Sequence, residues 1–94
     1  MKYVFELYVI QHAPSSERAI ENLKRLCDTY HITDYEVNVV DILKDPHLAA
    51  LGDVIVVPTL IKQKPLPVVH IVGDLSEIDK VFHDLNNILS LDNI

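Results

Sequence analysis

One amphipathic helix between two β-type segments constrains the fold of this chain more than any other feature. Charged side chains occupy one face of residues 14–30 and the opposite face is apolar, which is the pattern of a helix that packs on a core. Pro14, followed by two serines, marks the start of this helix. Its apolar positions are Ala19, Ile20, Leu23, Leu26, Cys27 and Tyr30.

A β-type segment lies on either side of this helix. Residues 4–10 are apolar except for Glu6 and rich in β-branched and aromatic side chains, which predicts a strand covered on both faces. In residues 35–39, Tyr35 and two valines alternate with polar residues, and this alternation predicts a second strand. We therefore expect residues 3–43 to form a strand, a helix and a strand.

The second half of the chain opens with a shorter helix signal. Asp45 precedes Pro46, and a proline suits the first position of a helix. We expect Asp45 to cap a helix over residues 46–51. Gly52 follows directly and is expected to end that helix.

Two more strands and a final helix complete the chain. β-branched residues predict strands over residues 54–61 and 68–72, with a loop over residues 62–67 between them. A last helix is predicted to start after Gly73, capped by Asp74 with Glu77 or, alternatively, by Ser76. Its apolar face is formed by Leu75, Ile78, Phe82, Leu85 and Leu89.

The predicted order is therefore β-α-β-α-β-β-α. Its two β-α-β connections predict parallel pairing with right-handed crossovers, and the last two strands are placed to pair antiparallel. The result is an α/β fold in which helices flank a four-stranded mixed sheet, the thioredoxin-like architecture. With 94 residues, one compact core and a single domain over residues 1–94 are expected.

Charge and hydropathy exclude several classes of protein. Eight Lys and Arg face fourteen Asp and Glu, and such an acidic chain is a poor match for nucleic acid or an anionic membrane surface. The N-terminus has no signal-peptide pattern, because Glu6 interrupts the apolar run. No window approaches the ~20 apolar residues of a membrane span. We expect a cytoplasmic protein.

The cysteine content excludes thiol chemistry at the place where a thioredoxin-like enzyme performs it. Such an enzyme carries its nucleophilic cysteine at the start of the first helix, where this chain has His12-Ala13-Pro14-Ser15. The single cysteine, Cys27, lies on the apolar face of the helix and is expected to pack in the core, with a redox sensor as the alternative.

No other motif predicts a catalytic, cofactor-binding or metal-binding residue. The five histidines show none of the spacings of a metal site, and His12 near Ser15 lacks an orienting acid. Gly52 and Gly73 stand too far apart for a phosphate-binding loop. Pro58 is the one structural candidate: we expect a cis bond before it, with a trans proline at a strand edge as the alternative.

Four blocks of sequence resemble a known family. They are Leu7-Tyr8-Val9 with Pro14, Ser16, Arg18-Ala19 and Leu23; residues 40–49; residues 57–62; and residues 67–76. Together they are similar to the KaiB family of the bacterial circadian clock over about residues 3–90. The resemblance implies a protein that is not an enzyme, needs no cofactor, and binds the ATPase ring of a KaiC-like protein. In clocks, KaiB proteins also compete with a kinase and capture KaiA.

The resemblance also implies a choice between two folds. In one, the KaiB protein is a thioredoxin-like monomer that binds partners. In the other, the second half is rearranged to the order β-α-β-β-α-α-β, and the protein assembles into dimers or tetramers. That ground-state fold remains an alternative for this chain, and a homo-oligomer is expected in that state.

The chain departs from the clock members of the family at two places. They carry an arginine pair where this chain has Val69-His70, and a basic residue where it has Asp53. Because charge complementarity tunes partner choice, we expect a different partner surface. We favour a regulatory protein of a clock-related or stress-response system that binds a KaiC-like ATPase or an associated histidine kinase. The alternative is a stand-alone sensor domain of a two-component kinase; the end of the chain at Ile94, without heptads, favours a free protein.

Overall fold

The computed structural model describes residues 2–52, 54 and 56–86. Its elements follow the predicted order, β-α-β-α-β-β-α. The rearranged order is not the one that these residues adopt. The elements are β1 (Tyr3–Val9), α1 (Pro14–Thr29), β2 (Tyr35–Asp41), α2 (Pro46–Leu51), β3 (Thr59–Lys64), β4 (Val69–Val72) and α3 (Ile78–Asn86).

The four strands form one mixed sheet in the order β2-β1-β3-β4. β1 pairs parallel with β2, with Tyr3 opposite Tyr35 and Val9 opposite Asp41. β3 runs antiparallel to β1 on its other side, and β4 runs antiparallel to β3. The prediction of a parallel crossover through the second helix was therefore wrong.

The length of α2 explains this direction. Its six residues rise only ~9 Å, whereas the seven residues of β2 extend over ~23 Å. A helix this short does not by itself return the chain to the start of β2, and the loops on either side of it do not make up the distance. β3 consequently begins at the end of the sheet where β2 finishes, and it runs in the opposite direction.

The main core lies between the sheet and the two longer helices. One face of β1 is fully buried there through Phe5 and Leu7. α1 and α3 contribute the layer above it, and Tyr30 stacks on Phe82 at a centroid distance of 3.8 Å. The buried members of this cluster are Phe5, Leu7, Val9, Ala19, Leu23, Leu26, Cys27, Leu60, Leu75, Val81 and Leu85.

α2 covers part of the second face of the sheet. Tyr8, Val40, Ala49 and Ile61 form a smaller buried cluster there. Gly52 ends α2 in a right-handed conformation, with φ −80°. A Cβ atom at this position would lie 2.6 Å from the Tyr8 hydroxyl oxygen, so a larger residue here would force the end of the Tyr8 side chain to shift.

The boundaries of β3 differ from the prediction, because Lys62 is a core residue. The strand starts at Thr59 and continues through Lys64, so the first half of the predicted loop is part of the ladder. Lys62 is fully buried, and its Nζ donates a hydrogen bond to the carbonyl oxygen of Leu85 at 2.6 Å. Burial lowers the pKa of this amine. Lys62 of β3 thus connects the sheet to the last turn of α3.

The predicted capping residues of the two later helices were wrong, although α2 spans residues 46–51 as predicted. Asp45 precedes α2 but makes no side-chain capping hydrogen bond. α3 begins at Ile78, so Asp74 and Ser76 do not cap it. Leu75 is buried but adopts a positive φ of 63°, which excludes it from the helix. Leu89 lies outside the described residues.

Asp74 instead joins the β4–α3 loop to α1. Its carboxylate accepts hydrogen bonds from Arg18 Nε at 3.0 Å and from the Ser76 N–H at 3.1 Å. Asn22 donates to the Asp74 carbonyl oxygen at 2.8 Å, and Arg25 donates to that of Ser76 at 3.3 Å. Three side chains at helical spacing on α1 therefore hold this loop.

Replacing Leu23 by alanine tests the core assignment of α1. Leu23 is 2% exposed, and its truncation is expected to lower the free energy of unfolding by ~2–5 kcal/mol because it leaves a cavity. Ile20→Ala is the matched control on the same helix: Ile20 is 43% exposed, and its loss is expected to cost less than ~1 kcal/mol. Urea unfolding followed by circular dichroism measures both, and equal losses would contradict the assignment.

The contact of Asp74 with α1 predicts a dependence on pH. Arg18 and the Ser76 N–H hold the pKa of the Asp74 carboxyl below its ordinary value of 3.8. The ionised carboxylate therefore stabilises the fold above that value, and this contribution is lost as the pH falls through the lowered pKa. Asp74→Asn keeps an acceptor for Ser76 but no charge for Arg18. The variant is expected to lose less unfolding free energy than the wild type between about pH 6 and about pH 3.

Arg18→Ala and Arg25→Ala provide the controls for this pH dependence. Arg18→Ala removes the cation beside Asp74 and is expected to flatten the acid response in the same direction. Arg25 contacts the Ser76 carbonyl oxygen, so Arg25→Ala is expected to retain the acid response of the wild type. Parallel pH profiles for the wild type and Asp74→Asn would show that the ion pair contributes nothing.

Candidate functional site

The turn between β1 and α1 lies where the carboxyl ends of β1 and β2 meet. The Ala13 N–H donates to the Ile10 carbonyl oxygen at 3.1 Å and closes the turn. His12 stands exposed at its tip with a positive φ of 70°. Ser16 is buried, and its hydroxyl oxygen accepts the Ile10 N–H at 3.1 Å. Ser16 thus holds the turn together and is not an exposed nucleophile.

The structure separates the single thiol from this turn. Cys27 is fully buried near the far end of α1. Burial, with a smaller effect of Asp28, raises the pKa of its thiol to about 11. A thiolate is the reactive form of cysteine, so this side chain is suited to packing and not to thiol exchange. The residues His12 and Ser15, at the start of α1, carry no sulfur.

A cavity of about 410 Å³ opens beside the turn. It combines polar side chains of the turn with apolar side chains of α1 and β2. Its walls are formed by Val9, Gln11, His12, Ser16, Glu17, Ile20, Val39, Asp41, Lys44 and Asp45. No group of three or more His, Cys, Asp or Glu residues in the described part of the chain is arranged to hold a metal ion. His12, His31, His47, His70 and His83 are all exposed.

The segment between β2 and β3 exposes large apolar side chains. Asp41 fixes its first turn: its carboxylate accepts the Leu43 N–H at 2.9 Å, and its carbonyl oxygen accepts the Asp45 N–H at 2.9 Å. A segment that exposes several large apolar side chains is a candidate for a protein-binding surface. We name this segment the β2–β3 connection; its exposed apolar residues are Leu43, Leu48, Leu51 and Val56.

Pro58 lies at the end of the β2–β3 connection. It is buried, and its carbonyl oxygen accepts the Gly73 N–H at 2.9 Å. The Val57–Pro58 peptide bond is cis, as are the bonds that precede Pro65 and Pro67. The hydroxyl of Thr59 donates to the Val56 carbonyl oxygen at 2.6 Å, which fixes the chain on the other side of this proline.

One surface feature was missed by reasoning from the sequence. An apolar groove of about 260 Å³ runs between α1 and β2. Ile20 and Val39 line it and are exposed, although the periodicity of both elements predicts buried residues there. The identity of β2 as an edge strand decides this exposure, and that identity depends on the order of strands. No signal in the sequence gives it.

Comparison with protein families assigns the chain. A model of the KaiB domain matches residues 6–86. The chain belongs to the KaiB family. The circadian clock oscillator protein KaiB of Synechococcus elongatus is 40% identical over 84 residues, which cover 89% of this chain and 82% of that protein. The KaiB protein of Microcystis aeruginosa is also 40% identical, with 81% of its length covered.

Solved structures confirm the thioredoxin-like fold of this KaiB-family protein. The N-terminal domain of Synechococcus elongatus SasA superposes with a TM-score of 0.74 at 20% identity, covering 93% of this chain and 86% of that one. Mitochondrial thioredoxin 3 of Saccharomyces cerevisiae superposes with a TM-score of 0.67 at 18% identity, covering 87% and 77%. Identities this low show the fold alone.

Within the described residues, no helix is both long and apolar enough to cross a membrane.

The turn chemistry predicts that the protein has no disulfide reductase activity. In an insulin reduction assay with dithiothreitol, the rate with protein is expected to equal the rate with dithiothreitol alone. The reason is that a thiolate nucleophile is absent from the start of α1 and Cys27 is buried. Cys27→Ser is the control. A rate above the uncatalysed one that disappears in this variant would contradict the prediction.

Proposed function

We propose that this KaiB-family protein is a non-enzymatic regulator that acts by binding a KaiC-like ATPase, or a histidine kinase associated with it. The system is clock-related or belongs to a stress response. The family match over residues 6–86 carries this proposal. The turn at His12, which has the place but not the thiols of a thioredoxin active site, supports a binding role.

The β2–β3 connection is the proposed binding surface. It presents Leu43 and Leu51, which are 72% and 80% exposed, at the end of the sheet beside the His12 turn. Such side chains gain free energy when a partner removes them from water. Pro58 is proposed as a structural residue that ends this surface, since it is buried and bonded to Gly73. No cofactor is needed for this function.

The charge pattern suits a partner that differs from the one that clock members bind. Val69-His70 stands where those members carry an arginine pair, and His70 is exposed on β4. An arginine side chain is always charged, so this dipeptide carries less positive charge than the arginine pair. Asp53, the second departure, lies outside the described residues. We therefore propose that the partner surface of this protein differs from that of a core oscillator component.

A stand-alone sensor domain of a kinase is not favoured. The likeness to the SasA domain rests on a shared fold at 20% identity, whereas the likeness to KaiB proteins extends to 40% identity over most of the chain. The whole chain is proposed to act as one KaiB-like domain. Its single, free cysteine suits a reducing compartment such as the cytoplasm.

A binding measurement with purified partners tests the proposal. The KaiC-like ATPase and the histidine kinase encoded in the same genome are each immobilised, and binding of this protein is measured by biolayer interferometry. Binding of at least one of them is expected. Leu43→Glu places a charge in the apolar surface and is expected to weaken that binding about tenfold or more, since it adds a desolvation cost.

Leu66→Glu is the matched control for this substitution. Leu66 is 72% exposed, the same fraction as Leu43, but lies in the turn between β3 and β4. It is expected to bind like the wild type. The absence of binding to both partners would overturn the proposed function. Equal weakening by the two substitutions would instead show that the β2–β3 connection is not the binding surface.

A further inference from the structure

His12 is the third residue of a tight turn that is closed without its side chain. The Ala13 N–H donates to the Ile10 carbonyl oxygen, and the Ser16 hydroxyl oxygen accepts the Ile10 N–H, each at 3.1 Å. Gln11 does not share the positive φ of His12, which matches a type II turn. Such a turn favours glycine or asparagine at its third position. The fold therefore uses the backbone of His12 and not its imidazole.

A histidine at this position costs stability that a glycine would not. His12 has a φ of 70°, and in this left-handed region the Cβ atom of an L residue crowds the following carbonyl oxygen. Glycine adopts the same conformation without that penalty. Within the part of the chain that the structure describes, the His12 side chain makes no hydrogen bond or ion pair. No polar contact inside the fold offsets the cost.

The two other described residues, apart from glycine, that have a positive φ play a part inside the fold. Leu75 is buried in the main core. His31 directly follows the C-cap residue of α1, where a left-handed residue is a common way to end a helix. The negative end of the helix macrodipole lies there, and that end favours a histidine. His12 precedes the opposite, positive end of α1, so neither account applies to it.

The turn at His12 and the β2–β3 connection are fixed to each other at one end of the sheet. The Ile42 N–H donates to the Val9 carbonyl oxygen at 3.0 Å, so the end of β1 holds the residue before Leu43. His12 and Lys44 line the same cavity of about 410 Å³. A partner surface that covers Leu43 and spans this cavity therefore reaches His12.

We propose that His12 belongs to the binding surface at the β2–β3 connection, where its exposed imidazole forms a hydrogen bond with the bound ATPase or kinase. This inference rests on the proposed function, because it names a residue of the same surface. A neutral imidazole has one donor and one acceptor nitrogen, so it pairs with a polar side chain or a main-chain group of the partner. Strained residues concentrate at binding sites, and here the contact in the complex offsets the stability that the free protein loses.

Two substitutions at His12 separate the effect of its side chain from that of the turn. His12→Gly removes both the imidazole and the strain. His12→Asn removes the imidazole but keeps a side chain that tolerates a positive φ. Binding to the immobilised partner that the wild type recognises is measured by biolayer interferometry. Both variants are expected to raise the dissociation constant about tenfold, because they leave a polar group of the partner unpaired.

His31→Gly is the matched control, since it makes the same change at an exposed histidine of positive φ at the far end of α1. It is expected to bind like the wild type. Thermal unfolding followed by circular dichroism measures the strain separately. His12→Gly is expected to raise the midpoint by ~2–6 °C, and His31→Gly to raise it less because it also loses the favourable helix end. A midpoint of His12→Gly at or below that of the wild type would overturn the proposal.

The binding results separate this inference from the function on which it rests. A wild type that binds neither partner overturns both. Binding that Leu43→Glu weakens but both His12 variants leave unchanged keeps the β2–β3 connection as the binding surface and overturns the contact at His12. Weakening in His12→Gly alone would assign the effect to the rigidity of the turn, and equal weakening in His31→Gly would assign it to an indirect change. Either result also overturns the contact.

Discussion

The fold depends on the burial of β1, which is paired on both sides by strands that run in opposite directions. β2 pairs parallel with it and β3 antiparallel. Phe5 and Leu7 are fully buried on one face, and Tyr8 is buried on the other. Both faces must therefore be covered, by α1 and α3 on one side and by α2 on the other. Hydrogen bonds from α1 side chains to the β4–α3 loop hold the segment that leads into α3.

The first half of the fold could be predicted from the sequence because its determinants are local. A helical period from Ala19 to Tyr30 between two β-type segments defines the β1–α1–β2 unit without knowledge of distant contacts. The direction of β3 could not be predicted from element order, since it depends on how far α2 carries the chain. Lys62 suggested a loop, yet its ammonium group is satisfied by a carbonyl oxygen of α3. Leu75 fits a helical period but is held outside the helix by a loop that α1 fixes.

The candidate surfaces also differ in how far they could be predicted from the sequence. The lack of thiols at His12 and Ser15 is evident from the residue types alone, and it is sufficient to exclude thiol exchange at this turn. The resemblance to the KaiB family also rests on sequence blocks, and it indicates the binding role. The exposure of Ile20 and Val39 could not be foreseen, because a residue on an amphipathic face is exposed only if no neighbour covers it. That depends on the order of strands in the sheet.

The close approach of Gly52 to Tyr8 restricts how this protein can change through mutation. Tyr8 donates to Glu6 Oε1 at 3.1 Å, and the same oxygen accepts Gln63 Nε2 at 2.9 Å. A methyl group at position 52 would force the Tyr8 hydroxyl to shift, and with it the hydrogen bond to the carboxylate that Gln63 shares. Substitutions on the inner side of α2 are therefore expected to cost stability, whereas its outward leucines are exposed and can be replaced at little cost to the core. A lineage can in this way acquire new binding partners by substitutions on one side of a six-residue helix without altering its core.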